Sequence, residues 1–302
     1  MSNQKKQWGA IIVMIALFAM IAFVTNLCSP MAIIVKNDFG ASNVLAQIGN
    51  YGNFIAYLVM GIPAGMIIAK IGYKKTALLG LVIGIIGILI QWASGHVGKE
   101  YAFAIYLIGA FISGFTMCIL NCVVNPMLNL LGGGGNKGNQ LIQIGGVFNS
   151  TAAVCVYILM GALIGDAAKA HIADATPALM IALAIFVIAF IVISFTKIDE
   201  PEQAPVDTSL IKGALSFRHF KLGILGIFLY MGIEVGVPTY ILQFLTSEQG
   251  GSMAASTVGL IVAVYWLMML VGRFIGGAIG GAVSSRTQIT IVSTLTIVLV
   301  LF

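Results

Sequence analysis

The sequence of 302 residues contains few charged residues, at 8% of the chain, whereas hydrophobic residues make up 60%. Soluble domains typically carry about 25% charged and about 45–50% apolar residues, so this composition excludes a soluble protein. No run of basic residues is longer than two, and the net charge of +5 therefore does not indicate a nucleic-acid surface. We expect an integral protein of a lipid bilayer with no nucleic-acid partner.

Side chains suited to catalysis or metal binding are also scarce. The three histidines lie far apart, and the four cysteines lie inside apolar segments that carry no paired acids. The glycine run at residues 132–135 lacks the G-x-x-x-x-G-K-[ST] pattern of a phosphate loop, so a turn is the better interpretation. We therefore expect neither an enzyme nor a bound cofactor or metal ion.

Long apolar runs predict nine membrane-spanning helices, since about 20 residues cross a bilayer. The predicted segments are 9–35, 43–69, 76–95, 100–131, 138–165, 174–197, 217–246, 254–283 and 288–302. Alternate loops carry eleven Lys and Arg residues on one side and Lys36, Lys99 and Lys169 on the other, which predicts a cytoplasmic N-terminus. Arg273 falls inside the eighth segment near its cytoplasmic end, where we expect its guanidinium to extend toward water.

A polar stretch after the sixth segment predicts a division into two bundles. Gly61, Gly65 and Lys75 recur as Gly272, Gly276 and Arg286 at a constant offset of 211 residues, which is typical of an internal repeat. We predict a six-helix bundle at 1–197, a cytoplasmic linker at 198–216 and three helices of a second bundle at 217–302. Six helices followed by three predict an incomplete twelve-helix protein, with a natural nine-helix protein as the alternative.

Polar residues within the apolar segments are the candidates for function, because a charge at a helix centre costs at least ~2.5 kcal/mol. Glu234 is the one acid plainly at membrane depth. We expect it to bind substrate or to exchange a proton, with a purely structural pairing as the alternative. Asn121, Asn125 and Asn129 share one helix face, which has to be turned toward protein or water.

The candidates for a substrate site are therefore mostly amides. They are Asn26, Ser29, Asn50, Asn53, Asn121, Asn125, Gln143, Asn149, Tyr230 and Gln243. An amide offers both a donor and an acceptor to a hydroxyl group, so the set favours a neutral, hydroxyl-rich ligand in a cavity lined by the first, second, fourth, fifth and seventh segments. For any single amide, a hydrogen bond between helices is the alternative.

Several short motifs resemble one family of transporters. The loop at residues 65–75 resembles the loop between helices two and three of the major facilitator superfamily, with Ala69 at the position of its usual Asp. Residues 61–65, 125–126, 148–150, 232–235 and 272–274 resemble the bacterial fucose and glucose/galactose proton symporters. Gating or structural residues implied by the resemblance are Gly65, Gly72, Lys74, Lys75, Gly272 and Arg273.

The resemblance implies a twelve-helix all-α membrane fold and alternating access between two bundles. It further implies uptake of a monosaccharide with a proton, by a monomer in the bacterial inner membrane. In the fucose symporters, acids on helices one and four serve proton coupling and sugar binding, but the matching positions here are Ser29 and Asn121. We therefore expect Glu234 to couple protons. The alternatives are a facilitative uniporter, an efflux or other organic-solute carrier of the same fold, and a non-transporting membrane scaffold.

Overall fold

The computed structural model describes residues 7–40, 42–164, 171–200 and 209–301, and within these ranges the chain is helical and contains no strand. In chain order the helices are α1 (Trp8–Asp38), α2 (Asn43–Ile71), α3 (Tyr73–Ser94), α4 (Lys99–Leu131), α5 (Gly135–Ile164), α6 (Thr176–Phe195), α7 (Ser209–Ser216), α8 (Arg218–Thr246), α9 (Ala255–Ile279) and α10 (Ser285–Leu301). Short 3₁₀ turns at Ile172–Ala175 and Glu248–Gly250 precede α6 and α9.

The prediction of an all-helical membrane fold is confirmed, and each predicted segment corresponds to one helix. Eight of the described helices are long and apolar enough to cross a membrane, and α10, the ninth predicted segment, is a shorter apolar helix. Hydropathy predicts these helices well because the backbone polar groups of a spanning segment have to be satisfied within that segment.

Two clusters of buried side chains hold the helices together. The larger cluster joins α1, α3, α4 and α6, with Met14, Leu17, Leu120 and Phe186 among its fully buried members. The smaller cluster joins α5 to α8 and α9; its buried members are Ala153, Tyr157, Leu242, Val258, Val262, Ala263 and Trp266. Helix α5 is therefore the element through which α9 contacts the first six helices.

Helices α3 and α4 approach each other very closely. A Cβ atom at Gly87 would lie 2.6 Å from the Ser113 hydroxyl and 2.8 Å from its backbone nitrogen. The same approach brings the Gln91 amide to within 2.8 Å of the Ser113 hydroxyl, to which it donates. Small residues thus allow two apolar helices to share a buried hydrogen bond, as is common in membrane bundles.

The predicted linker at 198–216 lies between α6 and α8. Residues 201–208 are outside the described part of the chain, and the last eight residues of the linker form α7. The division into bundles at 1–197 and 217–302 stays a prediction.

The start of the linker is tied to the loop between α2 and α3. The carboxylate of Glu200 accepts hydrogen bonds from the backbone nitrogens of Tyr73 and Lys74, at 2.9 and 2.6 Å, in the first turn of α3. The ammonium of Lys74 in turn donates to the carbonyl oxygens of Ser194 and Thr196 at the end of α6, at 3.0 and 2.8 Å. Glu200 therefore places a negative charge at the N-terminal end of α3, and Lys74 places a positive charge at the C-terminal end of α6. The helix dipoles favour both placements.

Replacing Glu200 by Ala is expected to lower the melting temperature in detergent by several degrees. The substitution leaves two donors of α3 without an acceptor, and a cap of this kind is worth about 1–2 kcal/mol at a partly exposed site. Asp199→Ala is the matched control, because only the Asp199 backbone is involved in its bond to Gln7, at 3.1 Å. Equal losses of thermal stability in the two variants would contradict the capping role.

Candidate functional site

A cavity of about 440 Å³ lies between α1, α2, α4 and α5 on one side and α8 and α9 on the other. Its polar lining residues are Thr25, Asn26, Tyr57, Asn121, Asn125, Gln143, Asn149, Tyr157, Tyr230, Glu234, Thr239 and Arg273. The aromatic rings of Phe18, Phe54 and Trp266 also line it, together with aliphatic side chains such as those of Ile21 and Ile142. The volume is in the range of about 300–1,000 Å³ that is typical of small-molecule sites.

The structure brings most of the predicted site residues to this cavity. Asn26, Asn121, Asn125, Gln143, Asn149, Tyr230, Glu234 and Arg273 all lie on its wall. Asn53 is buried beside it with its amide 2.9 Å from the Cys28 sulfur, and neither Asn53 nor Gln243 is among the lining residues. The side chains of Ser29 and Asn50 are outside the described part of the chain. The cavity is lined by the five predicted helices, which are α1, α2, α4, α5 and α8, and by α9 as well.

The predicted asparagine stripe of α4 divides into two parts. Asn121 donates to the Tyr57 hydroxyl at 2.9 Å, and Asn125 donates to the backbone and side-chain oxygens of Asn121 at 3.2 and 3.3 Å. Asn129, one turn further on, instead donates to Asn139 of α5 at 3.1 Å in an exposed position. The first two asparagines thus belong to the cavity, and the third belongs to the contact between α4 and α5.

Glu234 lies midway along α8 and is 8% exposed. Its carboxylate forms an ion pair with the Arg273 guanidinium of α9 at 2.8 Å, and its backbone oxygen accepts from the Tyr265 hydroxyl at 3.2 Å. The opposite charge at hydrogen-bond distance compensates for burial of the carboxylate. Glu234 thus lies within a helix long and apolar enough to cross a membrane, and its charged partner was not expected.

Arg273 does not extend toward water as we expected. One guanidinium nitrogen donates to the Gly146 carbonyl oxygen, the Asn149 side-chain oxygen and the Ser150 hydroxyl, at 3.1, 2.9 and 3.1 Å. The other donates to Tyr230 at 3.3 Å and to Glu234. Gly146 makes room for this arrangement, since a Cβ atom there would lie 3.1 Å from Cδ of Arg273. The guanidinium therefore donates to five acceptors inside the bundle instead of to water at the helix end.

The residues of the predicted gating motif lie apart from the cavity, except for Arg273. Gly72 immediately precedes α3 and has φ +85°, a backbone conformation that favours glycine. Lys74 binds the end of α6, as described above, whereas Lys75 is exposed. Gly65 and Gly272 are also exposed, with no atom within 4 Å of a Cβ built on either. Their predicted role in gating stays a prediction.

Among the polar residues of the cavity wall, sequence reasoning missed Thr25, Tyr57 and Tyr157. Tyr57 follows Asn53 by one helical turn, so spacing could have indicated it as a polar neighbour. Thr25 and Trp266 also line the wall, and the Thr25 hydroxyl and the indole nitrogen of Trp266 are buried without a hydrogen-bond partner among the described residues. No pattern in the sequence distinguishes Thr25 or Tyr157 from residues that serve only packing.

Comparisons with known proteins agree with the fold. Residues 13–302 match the Major Facilitator Superfamily. The chain is 30% identical over 286 residues to a glucose/galactose transporter of Brucella abortus biovar 1 (strain 9-941), covering 92% of this chain and 68% of that protein. It is 20% identical over 288 residues to the L-fucose-proton symporter of Escherichia coli (strain K12), covering 86% of this chain and 65% of that protein. A crystal structure of a variant of the E. coli fucose:proton symporter superposes with a TM-score of 0.69 at 19% identity, covering 92% of this chain and 73% of that chain.

Proposed function

The chain belongs to the Major Facilitator Superfamily, a family of membrane transporters rather than enzymes, and we propose that it imports a small neutral monosaccharide by alternating access, together with protons. The predicted family and the multi-pass membrane architecture are thereby confirmed. The substrate class is supported by relatives named as a glucose/galactose transporter and an L-fucose-proton symporter.

The observation that carries the proposal is a cavity whose polar lining includes five amides and carries balanced charge. Among the described residues that line the cavity, Glu234 and Arg273 carry the formal charges, and they neutralise each other at 2.8 Å. A charged ligand would have to compete with this ion pair, whereas a neutral one need not. The remaining lining amides and tyrosines supply donors and acceptors for hydroxyl groups. Trp266 offers an aromatic face for the apolar side of a sugar ring.

Alternating access would require the two predicted bundles to rock about the cavity. We assign 1–197 and 217–302 to these bundles, with the N-terminus in the cytoplasm and the protein working as a monomer in the bacterial inner membrane. The position of the cavity between α1, α2, α4 and α5 on one side and α8 and α9 on the other supports this assignment. The contact of α5 with α9 is then the interface that changes during transport.

Proton coupling in this proposal falls to Glu234. The acids that serve this purpose in the similar fucose symporters are replaced here by Ser29 and Asn121, and Asn121 lies on the cavity wall as a neutral amide. Glu234 is the acid that remains on the described wall. A facilitative uniporter is the second candidate, and the ion pair favours it, because the Arg273 guanidinium already occupies the Glu234 carboxylate at 2.8 Å.

Uptake of radiolabelled D-glucose, D-galactose and L-fucose into proteoliposomes tests the proposal, with and without a pH gradient that is acidic outside. We expect saturable uptake of at least one of these sugars and accumulation only with the gradient. Saturable uptake with no accumulation would identify a uniporter. The absence of uptake of every sugar would contradict the proposed substrate class.

Asn121→Ala is expected to weaken sugar binding about tenfold, since one hydrogen bond to a ligand hydroxyl is worth about 1.5 kcal/mol when a buried partner is left unpaired. Asn129→Ala is the matched control, because it lies on the same helix face but outside the cavity. Substrate-dependent thermal stabilisation in detergent measures both. A packing role for Asn121 would instead lower the melting temperature and leave the affinity intact.

A further inference from the structure

Three polar side-chain atoms are buried without a hydrogen-bond partner among the described residues. They are the hydroxyl oxygens of Thr25 and Thr116 and the indole nitrogen of Trp266. Thr25 on α1 and Trp266 on α9 line the cavity from opposite sides, whereas Thr116 on α4 is not among the lining residues. Buried polar groups of native proteins are nearly always paired, so two unpaired groups in one cavity wall indicate that their partner is a molecule bound in the cavity.

The Thr25 hydroxyl lacks even the hydrogen bond that its own helix offers. Hydroxyls of helical threonines often bond to the carbonyl oxygen four residues earlier, as those of Thr151, Thr246 and Thr290 do here at 2.8–2.9 Å. Thr25 is partly exposed although its hydroxyl oxygen is buried, so other atoms of this residue face the cavity. Rotation about its one side-chain torsion turns the hydroxyl toward the cavity and breaks no hydrogen bond.

The indole nitrogen of Trp266 makes a similar demand from the other side of the cavity. Trp266 is 5% exposed and packs edge-on against Tyr265, with ring centroids 5.5 Å apart. Its nitrogen can only donate, so its partner has to be an acceptor such as a sugar oxygen. The nitrogen lies on the edge of the indole ring and is distinct from the aromatic face considered above. Because it is buried in the empty cavity, the wall has to shift slightly toward a ligand to form this contact.

We propose that Thr25 is a specificity-determining residue of the cavity: its hydroxyl turns toward a bound sugar and forms a hydrogen bond with one sugar hydroxyl, while Trp266 donates to a sugar oxygen from the opposite side. Because Thr25 gives up no hydrogen bond in turning, the new bond is not offset by the loss of an old one. A sugar that lacks this hydroxyl leaves Thr25 unpaired and binds more weakly. This role rests on the proposed function, transport of a sugar through the cavity.

Thr25→Val and Thr116→Val, compared without ligand, test whether the two hydroxyls are unpaired. Val has nearly the shape of Thr, and replacing an unpaired buried hydroxyl by an apolar group of the same shape is neutral or stabilising. Neither variant should therefore melt in detergent at a lower temperature than the wild type. A lower melting temperature for Thr25→Val would show that its hydroxyl is already paired within the protein, and would overturn the inference.

Sugar binding should distinguish these two variants. Thr25→Val should bind about three- to tenfold more weakly, the effect of one hydrogen bond. Thr116→Val should bind as the wild type does, because Thr116 is not on the cavity wall, and so should Thr25→Ser, which retains the hydroxyl. Thermal stabilisation by D-glucose, D-galactose and L-fucose in detergent measures the affinities. Unchanged affinity in Thr25→Val, or an equal loss in Thr116→Val, would overturn the inference.

Monodeoxy analogues of the sugar that binds identify the partner of Thr25. Removing either side of one hydrogen bond gives losses that do not add, so one analogue should bind the wild type more weakly than its parent sugar and bind Thr25→Val equally well. Additive losses at every position would contradict the contact. If none of the three sugars stabilises the wild-type protein, the proposed substrate class fails and the role of Thr25 fails with it. Wild-type binding that Thr25→Val leaves unchanged overturns only the role of Thr25.

Discussion

Glu234→Gln is expected to abolish the accumulation of sugar that a pH gradient drives. If one proton accompanies each sugar, a gradient of one pH unit sustains about tenfold accumulation, because one unit corresponds to about 1.36 kcal/mol. The amide of Gln cannot take up a proton near neutral pH. The sugar concentrations inside and outside the proteoliposomes should therefore become equal. The measurement is the steady-state ratio of internal to external radiolabelled D-galactose in proteoliposomes.

A second acid close to Glu234 in the sequence, but outside the cavity, provides the control. Glu248 lies in the turn after α8, is exposed and is not on the cavity wall, so Glu248→Gln should accumulate sugar as the wild type does. Gradient-driven uptake that persists unchanged in Glu234→Gln would remove Glu234 from the coupling mechanism. The uniporter would then be the better description only if the wild-type protein also failed to respond to the gradient.

Neutralising one partner of the Glu234 and Arg273 pair is expected to destabilise the protein far more than neutralising both. The side chains of Glu234 and Arg273 are 10% and 17% exposed, so either single substitution leaves a largely buried charge without its partner. Removing one partner of a buried ion pair typically costs about 3–5 kcal/mol, whereas replacing both is often nearly neutral. We expect Glu234→Gln and Arg273→Gln each to lower the melting temperature strongly, and the double variant to recover most of the loss.

The double-mutant cycle is measured by thermal unfolding in detergent. Residues in contact show coupling energies of about 0.5–3 kcal/mol, and the large value is expected here. Additive losses in the double variant would contradict the ion pair as a stabilising contact. The remaining acceptors of Arg273 on α5, Gly146, Asn149 and Ser150, explain why its single substitution should be at least as damaging as that of Glu234.

The asparagine stripe of α4 illustrates how far residue spacing predicts the site. Spacing at i, i+4 and i+8 places Asn121, Asn125 and Asn129 on one face, and the structure retains that face. Spacing does not indicate where along the face the cavity ends, because this depends on the helices packed against it. Tyr57 of α2 meets Asn121, whereas Asn139 of α5 meets Asn129.

Arg273 illustrates a residue whose environment spacing cannot predict. The distance of Arg273 from the start of α9 places it near a helix end, where its guanidinium was expected to reach water. That expectation takes no account of α5, which packs against α9. Gly146 of α5 lies more than a hundred positions away in the chain, and its missing side chain admits the guanidinium. Contacts between such distant residues leave no local pattern in a single sequence.

The spanning helices, the family motifs and Glu234 at membrane depth could all be inferred from the residues in order. This is so because a lipid bilayer requires each spanning segment to satisfy its own backbone, and that requirement is visible in local hydropathy. The cavity, the division of the asparagine stripe and the partners of Arg273 required the packed helices. Those features depend on close approach between distant segments, such as Gly146 against Arg273, for which local hydropathy carries no signal.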